Sequence, residues 1–373
     1  MKFIYKDLLN LLSEKPSIEL LSERLFQLGH EHEINNDIFE MELTPNRGDC
    51  LSLLGLARDL NVFFGEIKEF KIFDEDIADL DIDFENQSHK DCPKISFLEI
   101  EIDGNISDYK TYIENYFSIL GNNKTNFFTD VSNYVSYELG QPTHCFDATK
   151  INNKLIFENR VCDDTFQTLL DSEINLKDKN CIFSIDGEII SLAGIMGGIS
   201  TACSLKTNKA LVECAYFNPE AIIGKSLKYN LLSDAAHKFE RGVDIENQER
   251  VLRRFIQIVR DHAVIKDIKI KTFTELEIKR ASIPISVDRI NKILGTKLDE
   301  KIYLTILKKL GFEIGDRVIV PSHRHDISSQ NDLAEEIARV IGYDNIQSKS
   351  LKIINENINN KNINCANKIK DFL

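Results

Sequence analysis

A chain of 373 residues with 42% hydrophobic and 28% charged residues has the make-up of an ordinary soluble globular protein, long enough for two or three cores. No apolar run approaches the roughly 20 residues that cross a bilayer, and a net charge of −14 opposes broad, nonspecific binding to phosphate backbones. None of the eight cysteines forms a C-x-x-C pair, which removes the sequence basis for zinc ribbons and dithiol motifs and predicts free thiols in a reducing compartment.

The opening residues, MKFIYKDLLNLLSEK, carry acids on an amphipathic pattern, unlike a secretory signal, and a cytoplasmic location is expected. Residues 1–65 predict short helices joined by turns. Leu21, Leu25 and Leu28 recur at helical spacing before Gly29, and Asp49 is placed to cap a second helix carrying Leu51, Leu54 and Leu60. Between them, Thr44-Pro45-Asn46-Arg47-Gly48-Asp49 is dense in turn formers. Residues 66–92 are acidic and irregular and read as a linker.

From 93 to 275 the pattern changes to strands with interposed helices. Asp186-Gly187 between two apolar runs predicts a type I′ hairpin, and a strand over 210–214 runs into Asn218-Pro219, a cap followed by proline at the first helical position. Residues 279–346 form a compact unit with helix stripes at Val287, Ile290, Leu294 and at Ile306, Leu307, Leu310, where Gly311 ends the second. A winged-helix shape fits this unit, but it lacks a basic recognition helix, so DNA binding is not expected. The tail 347–373 reads as a helix, a frayed end or the start of a further domain. The fold class expected is α+β, multidomain: a small helical domain, a mixed strand and helix domain, and a small winged-helix-like α/β domain.

Residue chemistry concentrates in two places. Asp332, Glu335 and Glu336 share a helix face at i, i+3 and i+4, with Asp326 six residues upstream; hard oxygens converging this way suit Mg²⁺. The competing reading is a capping box, with Asp332 as cap, Glu335 at the third position and Arg339 pairing at i+4. In the middle region five segments stand out: 131–134, 140–147, 193–198, 211–217 and 233–244. Singly, His144 is a loop histidine and AGIMGG a tight backbone crossing. Glu213 sits in a strand between apolar neighbours, where it either faces solvent by alternation or is buried with a purpose. Arg250, Arg253, Arg254 and Arg260 on one helix offer either a solvated face or a local basic surface for RNA.

PSHRHDI followed by DLAEEIARVIGYDNI resembles the B5 domain of the β subunit of bacterial-type phenylalanyl-tRNA synthetases. ELTPNRGDCLSLLGLARDL resembles the close of the family's B1 domain, and the five middle segments, in order, resemble its B3/B4 editing module. The resemblance implies that Asp326, Asp332, Glu335 and Glu336 bind magnesium near a catalytic α subunit. It places Asn133, His144, Ala193, Gly194, Glu213 and Ala235 at positions of the editing pocket, with His144 and Glu213 serving hydrolysis of tyrosine wrongly esterified to tRNA(Phe). The implied enzyme charges tRNA(Phe) with phenylalanine using ATP and Mg²⁺ as an α2β2 heterotetramer, with ATP bound by α and no membrane involved. Two departures stand out: only residues 31–41 fill the place of the family's tRNA-binding insert, and the sequence stops at Leu373, soon after the B5-like region. The departures leave a free-standing aminoacyl-tRNA deacylase or a non-catalytic scaffold fragment as alternatives. The H-x-H of His323 and His325 is not read as a ligand pair.

Overall fold

The computed structural model describes residues 1–275, 277, 279–348 and 361–372. Helix Ile18–Gln27 buries Leu21 and Leu25, and the hydroxyl of Ser17 caps it by accepting from the Leu20 N–H. Helix Leu53–Phe64 buries Leu54, Leu56 and Leu60. Its cap is Ser52, which accepts from the Gly55 N–H at 3.0 Å, and not Asp49. The Asp49 carboxylate is held instead by Arg47, through two bonds of 2.9 Å, inside the short helical turn Gly48–Cys50. A guanidinium two residues away outcompetes a backbone N–H for a carboxylate because both partners are charged.

Residues 31–41 are not a bare connection. Glu31–Asn35 and Ile38–Glu42 pair as an antiparallel hairpin, and Lys2–Ile4 completes a three-stranded sheet on the far side of Ile38–Glu42. Alternation turns His32, Phe39 and Met41 inward.

Two five-stranded sheets make the middle of the molecule. The first runs Ala78–Asp79, Ala263–Thr274, Lys94–Ile106, Lys209–Tyr216, His144–Asp147; the second runs Met196–Gly197, Glu188–Leu192, Glu173–Ile185, Leu155–Gln167, Phe84–Asn86. Asp186 and Gly187 join two strands of the second with φ of 52° and 85°, the positive pair a type I′ turn requires. The acidic stretch 66–92 is stitched into both sheets, since Ala78–Asp79 and Phe84–Asn86 each lie parallel along an edge, and Phe73 and Leu80 are buried.

The first sheet carries a core on each face. Ala210, Val212 and Cys214 face helices Phe127–Leu139 and Gln248–Arg260, in a core that residues 1–65 share. Leu211 and Ala215 face the second sheet, against Phe157, Phe183 and Phe217, each of which contributes about 1.5–3 kcal/mol by leaving water. The period of two therefore directs Glu213 into the space between the sheets.

A third core joins helices Val287–Leu294, Glu300–Lys309 and Gln330–Ile341 to the three-stranded sheet Ser282–Pro284, Arg317–Ile319, Glu313–Ile314. Asn218 and Pro219 open the helix Pro219–Ile222 as the sequence predicts. Of the tail, Lys361–Phe372 is helical, and residues 349–360 lie outside the described residues.

Candidate functional site

Where the edges of the two large sheets approach helices Phe127–Leu139 and Asp234–Arg241, they leave a cavity of about 410 Å³. Asn133, His144, Gly194, Glu213 and Ala235 all line it. Ala193 does not: it is fully buried in the core, and its N–H donates to the Cys181 carbonyl. Its small side chain packs beneath the wall and offers no contact surface. Gly194 turns the chain with φ of +70°, and a Cβ there would lie 2.9 Å from the Phe217 ring, so backbone conformation and space both demand glycine.

Glu213 and His144 are direct partners across neighbouring antiparallel strands, so their side chains emerge side by side. Burial pushes the Glu213 carboxyl up to about 8, with only a backbone N–H at Ala215 opposing the rise. Around neutral pH it is therefore mainly a neutral acid, able to donate as well as accept. Burial also pushes His144 down to about 4, leaving a neutral ring. Its Nε2 is buried without a hydrogen-bond partner in the protein, and its ring packs T-shaped with Phe146, centroids 4.4 Å apart. A buried ring nitrogen with no protein partner at a cavity wall can bond whatever enters the cavity.

Gly197 makes the seat for that ring. A Cβ at this position would stand 2.3 Å from His144 Cε1, 2.7 Å from Nε2 and 2.8 Å from Leu169 Cδ1. Because Gly197 has an ordinary strand backbone, Gly197→Ala strains no dihedral and acts by displacing the imidazole first and the flexible Leu169 tip with it. Overpacking of this kind costs about 1–3 kcal/mol. Gly197→Ala is expected to lower any His144-dependent turnover by ten- to a hundredfold while the protein still unfolds cooperatively; unchanged turnover would show that the ring position is immaterial.

The four acidic residues near the C-terminal helix are not gathered together. Asp332 sits at the third position of helix Gln330–Ile341 and accepts from Ser328 and Ser329 N–H, both at 2.8 Å, so the cap is Ser329 and the box partner Asp332. Glu336 is buried between Arg324 and Arg339, with bonds of 2.7 and 2.8 Å from Arg324. Asp326 is held by the same Arg324, at 2.9 Å twice, and Asn46 donates to it at 3.2 Å. Glu335 is exposed. Arg339 continues to Asp59, which Arg47 and His30 also contact, at 2.9 and 2.7 Å. Among the described residues the one trio of His, Cys, Asp or Glu ligand atoms within 4.8 Å of one another is His30, Cys50 and Asp59. Two guanidiniums already occupy that trio: Arg47 donates to Cys50 and Asp59, and Arg339 to Asp59. In this structure the four carboxylates do not converge: arginines hold Asp326 and Glu336, a helix N-terminus holds Asp332, and Glu335 is exposed.

Comparison with known proteins agrees with this architecture. Residues 105–264 match the B3/4 domain family, and residues 283–343 match the tRNA synthetase B5 domain family. The phenylalanine–tRNA ligase β subunit of Acinetobacter baylyi is 30% identical over 333 residues, which cover 86% of this chain and 42% of that one. The β subunit from Thermotoga maritima is 31% identical over 334 residues, 87% of this chain and 42% of its own, and that from Burkholderia mallei 32% over 327 residues, 85% and 40%. The chain belongs to the phenylalanine–tRNA ligase β-subunit family. It spans about two fifths of the length of these relatives. An N-terminal fragment of the phenylalanyl-tRNA synthetase β subunit from Pyrococcus horikoshii superposes over 91% of this chain and 99% of its own, with a TM-score of 0.49 and 13% identity.

Within this β-subunit architecture the arginines of helix Gln248–Arg260 form a seam and not a basic face. Arg254 holds the buried Glu138 at 2.6 and 2.7 Å; Arg253 bonds Glu249 and the carbonyls of Phe73 and Glu75; Arg260 meets Glu75, and Arg250 meets Glu69. They fasten the acidic stretch 66–92 to the helix. Sequence reasoning also missed the cavity mouth, where Leu169, Leu170 and Ile199 stand partly exposed. The available signal was a pair of leucines in the polar turn TLLDSE, an unusual place for large apolar side chains.

Proposed function

We propose that this chain carries the editing function of a phenylalanine–tRNA ligase β subunit, hydrolysing tyrosine wrongly esterified to tRNA(Phe) in the cavity between the sheets. The observation that carries the reading is the pair of titratable groups, Glu213 and His144, side by side in a cavity wall whose other lining residues are uncharged. Phenylalanine and tyrosine differ by one hydroxyl, which an apolar synthetic pocket discriminates poorly, so a second site that binds the hydroxyl raises fidelity. The neutral Glu213 acid pairs with a phenol as donor and acceptor. A phenylalanyl ring would leave it unpaired, at about 1–3 kcal/mol.

Hydrolysis adds water to the ester carbonyl; the new C–O bond forms, the bond to the ribose oxygen breaks, and that oxygen takes up a proton as free tyrosine leaves. A ring titrating at about 4 is a weak base, so His144 serves by holding the water or a ribose hydroxyl through Nε2. Asn133 and Ala235 border the space left for the substrate. ATP and magnesium belong, on this reading, to the assembled α2β2 ligase, with α supplying the synthetic site. Within this chain Arg324 holds Asp326 and Glu336, and the start of helix Gln330–Ile341 holds Asp332.

Deacylation of tyrosyl- and phenylalanyl-tRNA(Phe) by the purified chain, beside His144→Ala, tests the proposal. Faster release of tyrosine, slowed by at least tenfold in the variant, is expected. Equal release of both amino acids would overturn it, whereas copurification with α and no turnover would favour a subunit acting in assembly.

A further inference from the structure

A second cavity, of about 450 Å³, adjoins the first and shares part of its wall, including Ser132, Asn133, Thr143 and Ala235. Its own lining differs in kind. Tyr116 and Leu120 give it an aromatic and apolar side, while Asn122 and Asn123 add amides beyond the end of helix Thr111–Leu120. Lys238 is not a free cation there: its ammonium donates to the Ser136 carbonyl and hydroxyl, at 2.9 and 2.8 Å, and pairs with Asp234 at 2.9 Å. The other two cations of the lining are engaged as well: the Met1 ammonium donates to the Met41 carbonyl at 3.1 Å, and Lys2 pairs with Glu40 at 3.1 Å. What the chamber offers a ligand is an aromatic ring and side-chain amides, the lining that suits a planar, hydrogen-bonding group.

We propose that this second chamber seats the terminal nucleoside of the esterified substrate, its base stacked on Tyr116 and its edge read by the Asn123 amide, while Asn122 braces the platform by donating to the Tyr116 carbonyl at 3.1 Å. The inference rests on the editing assignment for the choice of acyl group, but the nucleoside seat is independent of which amino acid the first cavity prefers. An aminoacyl nucleoside has an apolar or phenolic ring at one end and a base at the other, joined through a ribose ester. Two chambers of contrasting lining with a common wall match that division and place the ester over Asn133 and Ala235. The Tyr116 ring is held edge-on by Phe117 at 4.9 Å and Tyr134 at 5.5 Å, so it is preorganised as a platform. Stacking of one base on an aromatic ring is worth about tenfold or more in affinity.

The test uses three probes on the full chain by calorimetry: tyrosinamide, adenosine, and the non-hydrolysable amide of tyrosine with 3′-amino-3′-deoxyadenosine. Tyr116→Leu is expected to weaken adenosine and the conjugate about tenfold and to leave tyrosinamide unchanged. Asn123→Ala, at an exposed residue that plays no part in the core, should weaken the same two probes without affecting the fold. If adenosine and the conjugate bind equally well to wild type and both variants, or adenosine does not bind and the conjugate is no tighter than tyrosinamide, the nucleoside seat is overturned. Tyrosinamide reports separately on the first cavity: its failure to bind, with adenosine still sensitive to Tyr116→Leu, would sink the editing reading and leave the nucleoside seat standing.

Discussion

Replacing Glu213 by alanine is expected to reduce the preference for tyrosyl over phenylalanyl ester by ten- to a hundredfold, about 1.4–2.7 kcal/mol. The loss has two parts. The tyrosyl ester forfeits a buried hydrogen bond, and the phenylalanyl ester no longer strands a desolvated carboxyl. Glu213→Gln, which keeps a donor and an acceptor, should retain most of the preference; a Glu213→Ala enzyme that still discriminates would remove the residue from the specificity mechanism. The same group has a signature in stability. Its folded-state value of about 8 lies above that of an exposed glutamate, so the native state holds the proton longer. Its contribution is complete in acid, below the ordinary carboxylate range, and is lost as pH rises through about 8. Thermal midpoints taken from pH 5 to pH 9 should therefore fall more steeply for the wild type than for Glu213→Gln.

Why Glu213 needed a structure, when so much around it did not, is a matter of range. The helices over 18–27, 53–64 and 287–294, and the hairpin at Asp186-Gly187, follow from local spacing and turn chemistry, and all are present. The strand 209–216 was equally legible, yet whether its odd residues meet water or a second sheet depends on strands that pair elsewhere in the chain. The edge strands within 66–92 are two and three residues long, too short to show a period, and they form because a sheet edge is available to pair with. Among the site residues, the family resemblance named six for one pocket; five line the cavity, and Ala193 falls behind the lining because a motif does not separate wall from core. The acidic spacing at 332, 335 and 336 implies one shared helix face, but Asp332 turns back to the helix start, Glu335 meets solvent and Glu336 is buried. Its fate was decided by Arg324 and by Asp59, the latter more than 270 residues away and reached through Arg339.

That long-range contact carries the second large effect. Asp49, Arg47, Asp59, Arg339, Glu336, Arg324 and Asp326 follow one another as alternating charges, with Arg47, Asp59, Arg324, Glu336 and Arg339 all nearly inaccessible to water. They join the turn-rich segment 44–49 to helix Gln330–Ile341, so the two motifs most distinctive in the sequence are the two ends of one buried lattice. Deleting a member leaves its neighbours charged and desolvated; Glu336→Ala is expected to destabilise the chain by about 3–5 kcal/mol, while exposed Glu335→Ala stays within about 0.5 kcal/mol. Burial works to raise Glu336, but the Arg324 hydrogen bonds and the charge of Arg339 overcome it and hold the carboxyl at about 2. A depressed carboxylate contributes its full share above the ordinary glutamate range and loses it as pH falls through about 2, so the wild type should lose stability in that acid window and Glu336→Ala should lose less there. Magnesium provides the opposing test. A cation bound only by the native chain would raise the thermal midpoint with concentration; with Asp326 and Glu336 held by guanidiniums and Asp332 by the helix start, the midpoint of the isolated chain should be the same in excess Mg²⁺ and in chelator. A midpoint that climbs with Mg²⁺, and no longer does so in Glu335→Ala, would show that the acidic face recruits the ion despite its arginines.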